Sequence, residues 1–365
     1  MRLKEKILYV VLCFFKIFLP FTKVKKNKIL FVSLESDVLE HEFKMLYDEL
    51  SGKGYELHCS LTKFEMNILG SIKYFFTCIH LLFDINTSSL VILDYNNYVV
   101  SKFKREGVKV LQLWHASGAI KKFGNAIKRD YLIHNYDYVI ANAEAFRQNY
   151  AQAFGVKKEQ VFITGIPGTD CLYQREYHEC NRALMLEKFP IINRKKVVLY
   201  APTFRGRLIT GFKDAYMDVD KVQELLGNDY VIMYKMHPLL RKYEISKNPN
   251  IICCNEEELY LLFAVTDYLI SDYSALIFDF SVLEKPMLFF TPDLDTYKQE
   301  TGLFLDYEKE IPGPICTHEE EIVELIKHND FDMESISKFN KKYHAYSDGK
   351  SLDRVLRLIE EIMDR

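Results

Sequence analysis

The chain has 365 residues, of which 48% are hydrophobic and 27% are charged, and its formal net charge is −3 at pH 7. This composition excludes an intrinsically disordered chain and provides no overall positive charge for binding nucleic acid. The length predicts two domains, each large enough to bury its own core.

The first 27 residues form a basic and apolar segment. An apolar run occupies residues 7–21, and lysines lie on both sides of it. The run is shorter than the roughly 20 apolar residues that span a bilayer, and no small-residue cleavage site of a signal peptide follows it. We expect a helix at the membrane surface, held by anionic headgroups. Packing of the helix on the protein's own core is the alternative.

Residues 28–175 alternate short β-rich runs with stretches long enough for crossover helices. This alternation predicts a first Rossmann-type, doubly wound α/β domain with a parallel sheet. The predicted strands are residues 28–34, 55–61, 90–95, 110–114, 138–142 and 161–165.

The alternation restarts after a polar, helical-looking stretch near residues 176–188. Residues 190–345 are therefore predicted to form a second Rossmann-type domain, and the two sheets are expected to face a cleft. Residues 351–365 have the apolar spacing of an amphipathic helix. The predicted strands are residues 196–202, 230–238, 250–254, 268–272 and 287–293.

Common cofactor and metal signatures are missing from the sequence. It contains no GxGxxG or GxxxxGK[ST] motif, so neither usual dinucleotide nor P-loop chemistry is indicated. The 8 cysteines form no CxxC pair and no metal-like spacing with histidine, which is typical of reduced core residues. Three DxD tripeptides could hold a cation, but a chain with 51 acidic residues contains such pairs by chance. We predict neither a metal nor a cofactor.

Residues that follow strands deserve most weight because open α/β sheets bind ligands beyond the carboxyl ends of their strands. The segment 111–120, LQLWHASGAI, places His115 at such an end, followed by the small residues Ser117 and Gly118. These small residues would let a substrate approach the backbone. A histidine held only by structural hydrogen bonds is the alternative.

Two further strand ends carry cations and hydroxyls. In YAPTFRGR, Thr203 offers a hydroxyl, and Arg205 and Arg207 offer planar guanidinium groups that match phosphate oxygens. In YKMHP, Lys235 is a candidate substrate-binding residue and precedes His237, and the following proline restricts the backbone of that histidine to extended geometry.

The segment 266–286 is predicted to pass from a strand into a helix at Ser271 and Asp272, with Ser274 in the first helical turn. Serine and aspartate are good helix N-caps, which is a structural role. The same arrangement would leave amides and the positive end of the helix dipole available to a pyrophosphate. The two roles are compatible.

Five ordered blocks together resemble one known family: LWHASGAIKKFG, GIPGTD, LYAPTFRG, YKMHP and SDYSALIFDFSVLEKP. They are similar to the CDP-glycerol glycerophosphotransferases that build teichoic acids and related polymers in Gram-positive bacteria. The resemblance implies a GT-B-like fold, a peripheral (monotopic) position on the cytoplasmic face of the membrane, and transfer of glycerol phosphate from CDP-glycerol to a lipid-linked acceptor.

The resemblance also assigns roles to residues. It places catalysis at His115 and His237, and it places the CDP pyrophosphate near Arg205, Ser271, Asp272 and Ser274. Lys121 and Lys122 either attract the acceptor's diphosphate or are solvated. Many relatives have glycine at the position of Ala116 and arginine at that of Gly168, and these departures concern the acceptor or donor more than the reaction type.

The expected activity is that of a primase, which adds glycerol phosphate to a disaccharide on undecaprenyl diphosphate and releases CMP. A short polymerase, an enzyme that uses CDP-ribitol and a capsule pathway remain open, as does a homo-oligomer. A GT-B glycosyltransferase acting on a nucleotide sugar and a non-catalytic membrane scaffold are the alternatives from other classes.

Overall fold

The computed structural model describes residues 3–63, 67–207, 211–212, 216–237, 240 and 242–364. The chain divides into two compact units, each with a parallel sheet. The first unit contains the residues up to Ser117, Lys122–Asp170 and the residues from His344 onward, and the second contains Gly118–Lys121 and Cys171–Tyr343.

The first unit contains a six-stranded sheet in which every pairing is parallel. The spatial order is β2-β1-β3-β4-β5-β6. All six strands predicted from the sequence are confirmed, with ends that differ by a few residues. They are β1 (Lys25–Ser33), β2 (Glu56–Leu61), β3 (Ser88–Leu93), β4 (Lys109–Gln112), β5 (Tyr138–Ala141) and β6 (Val161–Ile163).

Helices pack around this sheet because its central strands are apolar on both faces. In β3, for example, Leu90 and Val91 are both fully buried although they point to opposite faces of the sheet. The helices are α1 (Leu3–Lys16), α2 (His41–Leu50), α3 (Ile68–Thr87), α4 (Tyr98–Phe103) and α5 (Arg147–Phe154).

The second unit repeats the pattern with another parallel sheet of six strands, ordered β11-β10-β7-β12-β13-β14. Its first five strands match the prediction, and the short β14 was not predicted. The strands are β7 (Lys196–Tyr200), β10 (Tyr230–Tyr234), β11 (Ile251–Cys253), β12 (Tyr268–Ser271), β13 (Met287–Phe290) and β14 (Ile315–Cys316), with a separate hairpin of β8 (Gly206–Arg207) and β9 (Gly211–Phe212).

Eight helices of the described residues accompany the second sheet, and the predicted helical stretch near residues 176–188 is the first of them. They are α6 (Arg175–Lys188), α7 (Val219–Leu226), α8 (Leu259–Val265), α9 (Leu276–Ser281), α10 (Leu294–Thr301), α11 (Tyr307–Glu310), α12 (Glu319–His328) and α13 (Met333–Tyr343).

The last helix, α14 (Ser351–Met363), packs with the first unit. Its start is fixed by Asp170, whose carboxylate accepts the N–H groups of Ser351 and Leu352, each at 2.9 Å. Val355 and Ile359 are fully buried in the core beside α2 and the first sheet. The apolar spacing read from the sequence therefore corresponds to a helix that completes the first core.

Each sheet has a switch point at which the strand order reverses. In the first sheet it lies between β1 and β3, and in the second between β7 and β12. Crossover connections leave opposite faces of the sheet on the two sides of such a point, so a crevice opens beyond the strand ends. The segments after β7 and β12 therefore identify the most favourable ligand position in the second unit.

The helix α3 exposes apolar side chains along its first half. Ile68 and Leu69 are 78% and 76% exposed, whereas Leu82 and Ile85 near its end are fully buried. Of the helices that the structure describes, α3 alone is long and apolar enough to cross a membrane. It connects β2 to β3 of one parallel sheet, which is the position of a crossover helix.

Candidate functional site

The segment that carries His115 leaves β4 through an unusual backbone conformation. Trp114 has φ of 63°, in the left-handed region that a residue with a Cβ rarely adopts. Its N–H donates to the buried Gln112 side chain at 2.8 Å, and its ring stacks on Phe123 with centroids 4.5 Å apart. Such strain costs about 1–3 kcal/mol and persists only where surrounding contacts enforce it.

The imidazole of His115 is exposed and lies against two aromatic rings. Its centroid is 3.9 Å from that of Trp114 and 5.1 Å from that of Tyr95. Nδ1 lies 3.3 Å from the backbone carbonyl oxygen of Asp94. Because a carbonyl can only accept, Nδ1 carries the hydrogen, and Nε2 keeps a lone pair that can take a proton.

The protonation state of His115 suits a base. Desolvation by the surrounding protein lowers its pKa from 6.5, while the Asp94 carbonyl and the charge of Glu35 oppose that shift. The direction reflects the rings packed on the imidazole, and the exposed part of the side chain limits its size. The neutral form therefore predominates at neutral pH.

The small residues after His115 are buried. Ser117 is 4% exposed and ends the first of the three segments that form the first unit, while Gly118 begins a short segment of the second unit. The prediction that they contact substrate remains a prediction.

In the second unit, Thr203 and Asp272 join the two segments at the switch point. Both Asp272 carboxylate oxygens lie 3.0 Å from the Thr203 N–H, and Asp272 Oδ2 accepts the Thr203 hydroxyl at 3.1 Å. Thr203 follows β7, Asp272 follows β12, and both side chains are buried. The carboxylate thus fixes the loop after one strand to the end of its neighbour.

Arg205 is buried between two carboxylates. Nη1 donates to Asp272 at 2.7 Å, and Nε and Nη2 donate to Asp293 at 2.7 and 3.3 Å. Burial alone would lower the pKa of Arg205, but the charges and hydrogen bonds of these carboxylates reverse the effect and raise it.

The hydrogen-bond count limits what Arg205 can offer to a ligand. Nη1 also donates to the Thr203 carbonyl and hydroxyl, so four of the five guanidinium hydrogens have protein acceptors. At most one N–H is left. The geometry therefore supports a positioning role for Arg205, and its predicted contact with a phosphate remains a prediction. The side chain of Arg207 lies outside the described part of the chain.

His237 follows β10 and is half-buried. Its ring meets the Phe204 ring edge-on, with centroids 4.7 Å apart. Desolvation, followed by the nearby positive charge of Lys121, lowers its pKa from 6.5 to about 4. It is therefore neutral at neutral pH and can donate one ring N–H. The predicted influence of Pro238 lies outside the described residues.

The ammonium group of Lys235 is hydrogen-bonded to the backbone of the second unit. Its Nζ donates to the carbonyl oxygens of Glu257 at 2.6 Å and Asn255 at 3.3 Å. These bonds connect the segment after β10 to the segment that follows β11. Two of the three ammonium hydrogens are therefore committed, and contact between Lys235 and substrate remains a prediction.

The prediction that Ser271 or Asp272 caps a helix is wrong. The helix α9 begins at Leu276 and has six residues, so Ser274 lies before it and not in its first turn. Asp272 turns towards Thr203 and Arg205, and the Ser271 hydroxyl donates to the Ala201 carbonyl at 2.9 Å. The Asp272 carboxylate is used instead by a buried guanidinium and a backbone amide, and hydrogen bonds to a charged donor are the stronger kind. Contact between these residues and the pyrophosphate remains a prediction, but the dipole of a helix that begins at these residues no longer supports it.

Gly168, at a position where many relatives have arginine, lies close to the side chain of Glu42. A Cβ at this position would lie 2.2 Å from Oε1 of Glu42. Any larger side chain therefore requires the Glu42 carboxylate to move. An arginine, as in many relatives, would place its charge beside that carboxylate.

Sequence reasoning missed several residues that shape both sites. Tyr95 stacks on His115, Phe204 contacts His237, and Asp293 pairs with Arg205. Tyr95 follows β3, so its position at a strand end was an available signal. Asp293 pairs with Arg205 although the two residues are 88 positions apart, so no local sequence pattern could indicate this ion pair.

The chain matches the family described as CDP-Glycerol:Poly(glycerophosphate) glycerophosphotransferase over residues 12–361. It is 32% identical to the teichoic acid ribitol-phosphate primase of Bacillus spizizenii, covering 96% of this chain and 95% of that protein. It is also 32% identical to the teichoic acid glycerol-phosphate primase of Bacillus subtilis, covering 76% and 74% of the two chains.

Among solved structures, the fold is similar to that of the wall teichoic acid polymerase TagF. The TM-score is 0.74 at 22% identity, and the alignment covers 99% of this chain and 95% of the other. The two parallel sheets and this likeness establish a GT-B-like α/β fold. The chain belongs to the CDP-glycerol:poly(glycerophosphate) glycerophosphotransferase family and is a transferase of teichoic-acid-type polymer synthesis.

Proposed function

We propose that this chain transfers glycerol phosphate from CDP-glycerol to a lipid-linked saccharide, acts as a primase and releases CMP. The observation that carries this proposal is His115, an exposed imidazole whose Nδ1–H donates to a backbone carbonyl and whose Nε2 is free to take a proton. The family provides the reaction class, and the chemistry of the two units provides the roles.

The acceptor's hydroxyl loses its proton to Nε2 of His115. The hydroxyl oxygen forms a bond to the β-phosphorus of the donor, and the bond between this phosphorus and the bridging oxygen breaks. That oxygen leaves with CMP. General-base help of this kind typically contributes about 10²- to 10⁴-fold.

Donor binding belongs to the second unit. The switch point between β7 and β12 is the expected position for the nucleotide diphosphate, and the network around Asp272 keeps the segments after both strands in place. His237, neutral at physiological pH, donates a hydrogen bond to the transferring phosphoryl group. A TagF variant was solved after a soak with CDPG, which supports a CDP-linked donor for this fold.

A ribitol-phosphate primase is the second candidate. The observation that favours it is the alignment with 95% of the Bacillus spizizenii ribitol-phosphate primase at 32% identity. The glycerol-phosphate primase of Bacillus subtilis is equally identical over a shorter alignment. The donor polyol is therefore the first property to measure.

A labelled donor panel tests both candidates. The purified chain is incubated with CDP-glycerol, CDP-ribitol, a UDP-sugar and a GDP-sugar, together with a lipid-linked disaccharide. Release of CMP with one added polyol phosphate per acceptor supports a primase, and the donor identifies the polyol. Long products would indicate a polymerase. Release of UDP or GDP would indicate a glycosyltransferase, and the absence of nucleotide release with every donor would indicate a scaffold. The His115→Gln variant controls for contaminating activity.

We also propose a peripheral position at the cytoplasmic face of the membrane, and the exposed apolar side chains of α1 and α3 support the membrane contact. These two helices pack together, and exposed lysines flank the end of α1. An apolar surface bordered by cations suits anionic lipid headgroups. The exposed apolar residues of the two helices include Ile7, Val10, Phe14, Ile68, Leu69, Ile72 and Phe76, and the exposed Ile17 directly follows α1.

Vesicle flotation tests this position. The double variant Phe14→Glu and Ile72→Glu should lose binding to vesicles of phosphatidylglycerol and phosphatidylcholine, because both side chains are at least half exposed, 58% and 50%. Leu184→Glu is the matched control, since Leu184 is 56% exposed on α6 of the second unit. Equal flotation of the double variant and the wild type would exclude this surface.

A further inference from the structure

Lys121 occupies an unusual position for a lysine. It belongs to the short segment Gly118–Lys121 that the chain contributes to the second unit, six positions after His115. An antiparallel bridge joins Lys121 to Leu303, and the carbonyl of Ile120 accepts the N–H of Phe304 at 2.8 Å. The backbone of Lys121 is therefore fixed beside the segment that follows α10.

The ammonium of Lys121 lies between aromatic rings. Nζ is 5.6 Å from the centroid of Tyr297 and 6.0 Å from that of Phe204, and the residue is half-buried. Within the part of the chain that the structure describes, no carboxylate lies at ion-pair distance from Nζ. Aromatic faces return only about 0.5–2 kcal/mol to a cation, less than a paired carboxylate or phosphate provides to a partly desolvated charge.

Within the described part of the chain, two cations that follow strands of the second unit already have protein acceptors. Arg205 gives four of its five hydrogens to protein acceptors, and Lys235 donates to two carbonyl oxygens. The Phe204 ring that borders Lys121 also contacts His237. The positive charge of Lys121 reaches that imidazole, since it contributes to the lowered pKa of His237.

We propose that Lys121 binds a phosphate group of the nucleotide donor beside His237. The ammonium is held by rings that cannot neutralise it, and a diphosphate would provide the missing negative charge. The assignment rests on the proposed function for the identity of the donor. It replaces the expectation that Lys121 attracts the acceptor's diphosphate.

Calorimetric titration separates this role from a structural one. Lys121→Met keeps the length and apolar stem of the side chain, and it should weaken binding of CDP-glycerol or CDP-ribitol, whichever the wild type uses, by about 10- to 100-fold, the effect of losing a charge-assisted hydrogen bond. Lys121→Arg should recover most of the affinity, and binding of cytidine, which has no phosphate, should not change. Lys327→Met, an exposed lysine of α12, is the matched control.

Inorganic pyrophosphate provides an arm that does not depend on the donor. Weaker pyrophosphate binding by Lys121→Met than by the wild type supports the phosphate role even if no CDP-polyol is a substrate, so the two proposals fail separately. Equal affinity of the two proteins for pyrophosphate or for the CDP-linked donor, with unchanged melting temperatures, would overturn the assignment.

Discussion

The two strand-end regions that resemble the family motifs are built in opposite ways. Around His115 the side chain is exposed, its Nδ1–H donates to a backbone carbonyl, and the preceding Trp114 has a strained backbone. Around Asp272 the charges are buried and paired, and most donors of Arg205 are used within the protein. The first region holds a group that can exchange a proton, and the second is a rigid frame.

The largest expected effect comes from removing the exposed base. Glutamine at position 115 keeps polar contacts but takes no proton, so His115→Gln should reduce turnover by about 10²- to 10⁴-fold. His134→Gln, at an exposed histidine of the same unit, is the control and should retain activity. Wild-type turnover by His115→Gln would remove the base from the proposed mechanism.

Removing the cation from the buried network of Arg205, Asp272 and Asp293 should destabilise the second unit. Arg205→Met leaves Asp272 buried without its cation, and such a change should lower the free energy of unfolding by about 3–5 kcal/mol. Denaturant titration measures it, with Arg182→Met at an exposed position as the control. A loss below about 1 kcal/mol combined with lost donor binding would instead make Arg205 a ligand contact.

His237 should make folding pH-dependent. Its pKa is 6.5 when exposed and about 4 in the folded chain, so the unfolded chain takes the proton first as pH falls. The folded state therefore loses stability from about pH 6.5 to pH 4, by at most about 3 kcal/mol. Comparison of wild type and His237→Gln by denaturant titration at several pH values isolates this contribution. If the free energy of unfolding changed with pH in the same way in both proteins, the lowered pKa of His237 would be contradicted.

The smallest effect concerns the ring beside the base. Tyr95→Leu removes the stacked neighbour of His115, which should reduce turnover about three- to tenfold, in line with about 0.5–1.5 kcal/mol for an aromatic pair. Desolvation lowers the pKa of His115 below 6.5, and activity falls as pH drops through it. In Tyr95→Leu this acid limb should move upward towards 6.5. An unchanged pH profile would mean that Tyr95 does not influence the imidazole.

The fold was predictable because each buried strand carries its own signal. Runs such as residues 138–142 and 196–202 are apolar and rich in β-branched residues, and both form parallel strands with slightly different ends. Strand β14 was missed because it has only two residues. The long apolar stretch of α3 was not recognised as one helix, although its 20 residues are bounded by strands.

The site was less predictable because its partners are distant in the chain. The sequence indicated a polar residue near a strand end at Asp272, but the preference of aspartate for helix N-cap positions led to the prediction of a cap. Its acceptors are used instead by Thr203 and Arg205, which are 69 and 67 positions away. Lys121 could not be separated from Lys122 by sequence, since only the fold places one of them between Phe204 and Tyr297.

The division between a proton-transfer group in the first unit and a donor-binding frame in the second is the central claim. Titration of the CDP-linked donor into His115→Gln tests it most directly. We predict a dissociation constant within about threefold of the wild-type value, because a base that acts only on the acceptor hydroxyl contributes to the transition state and not to donor binding. Loss of donor binding in His115→Gln would contradict this division.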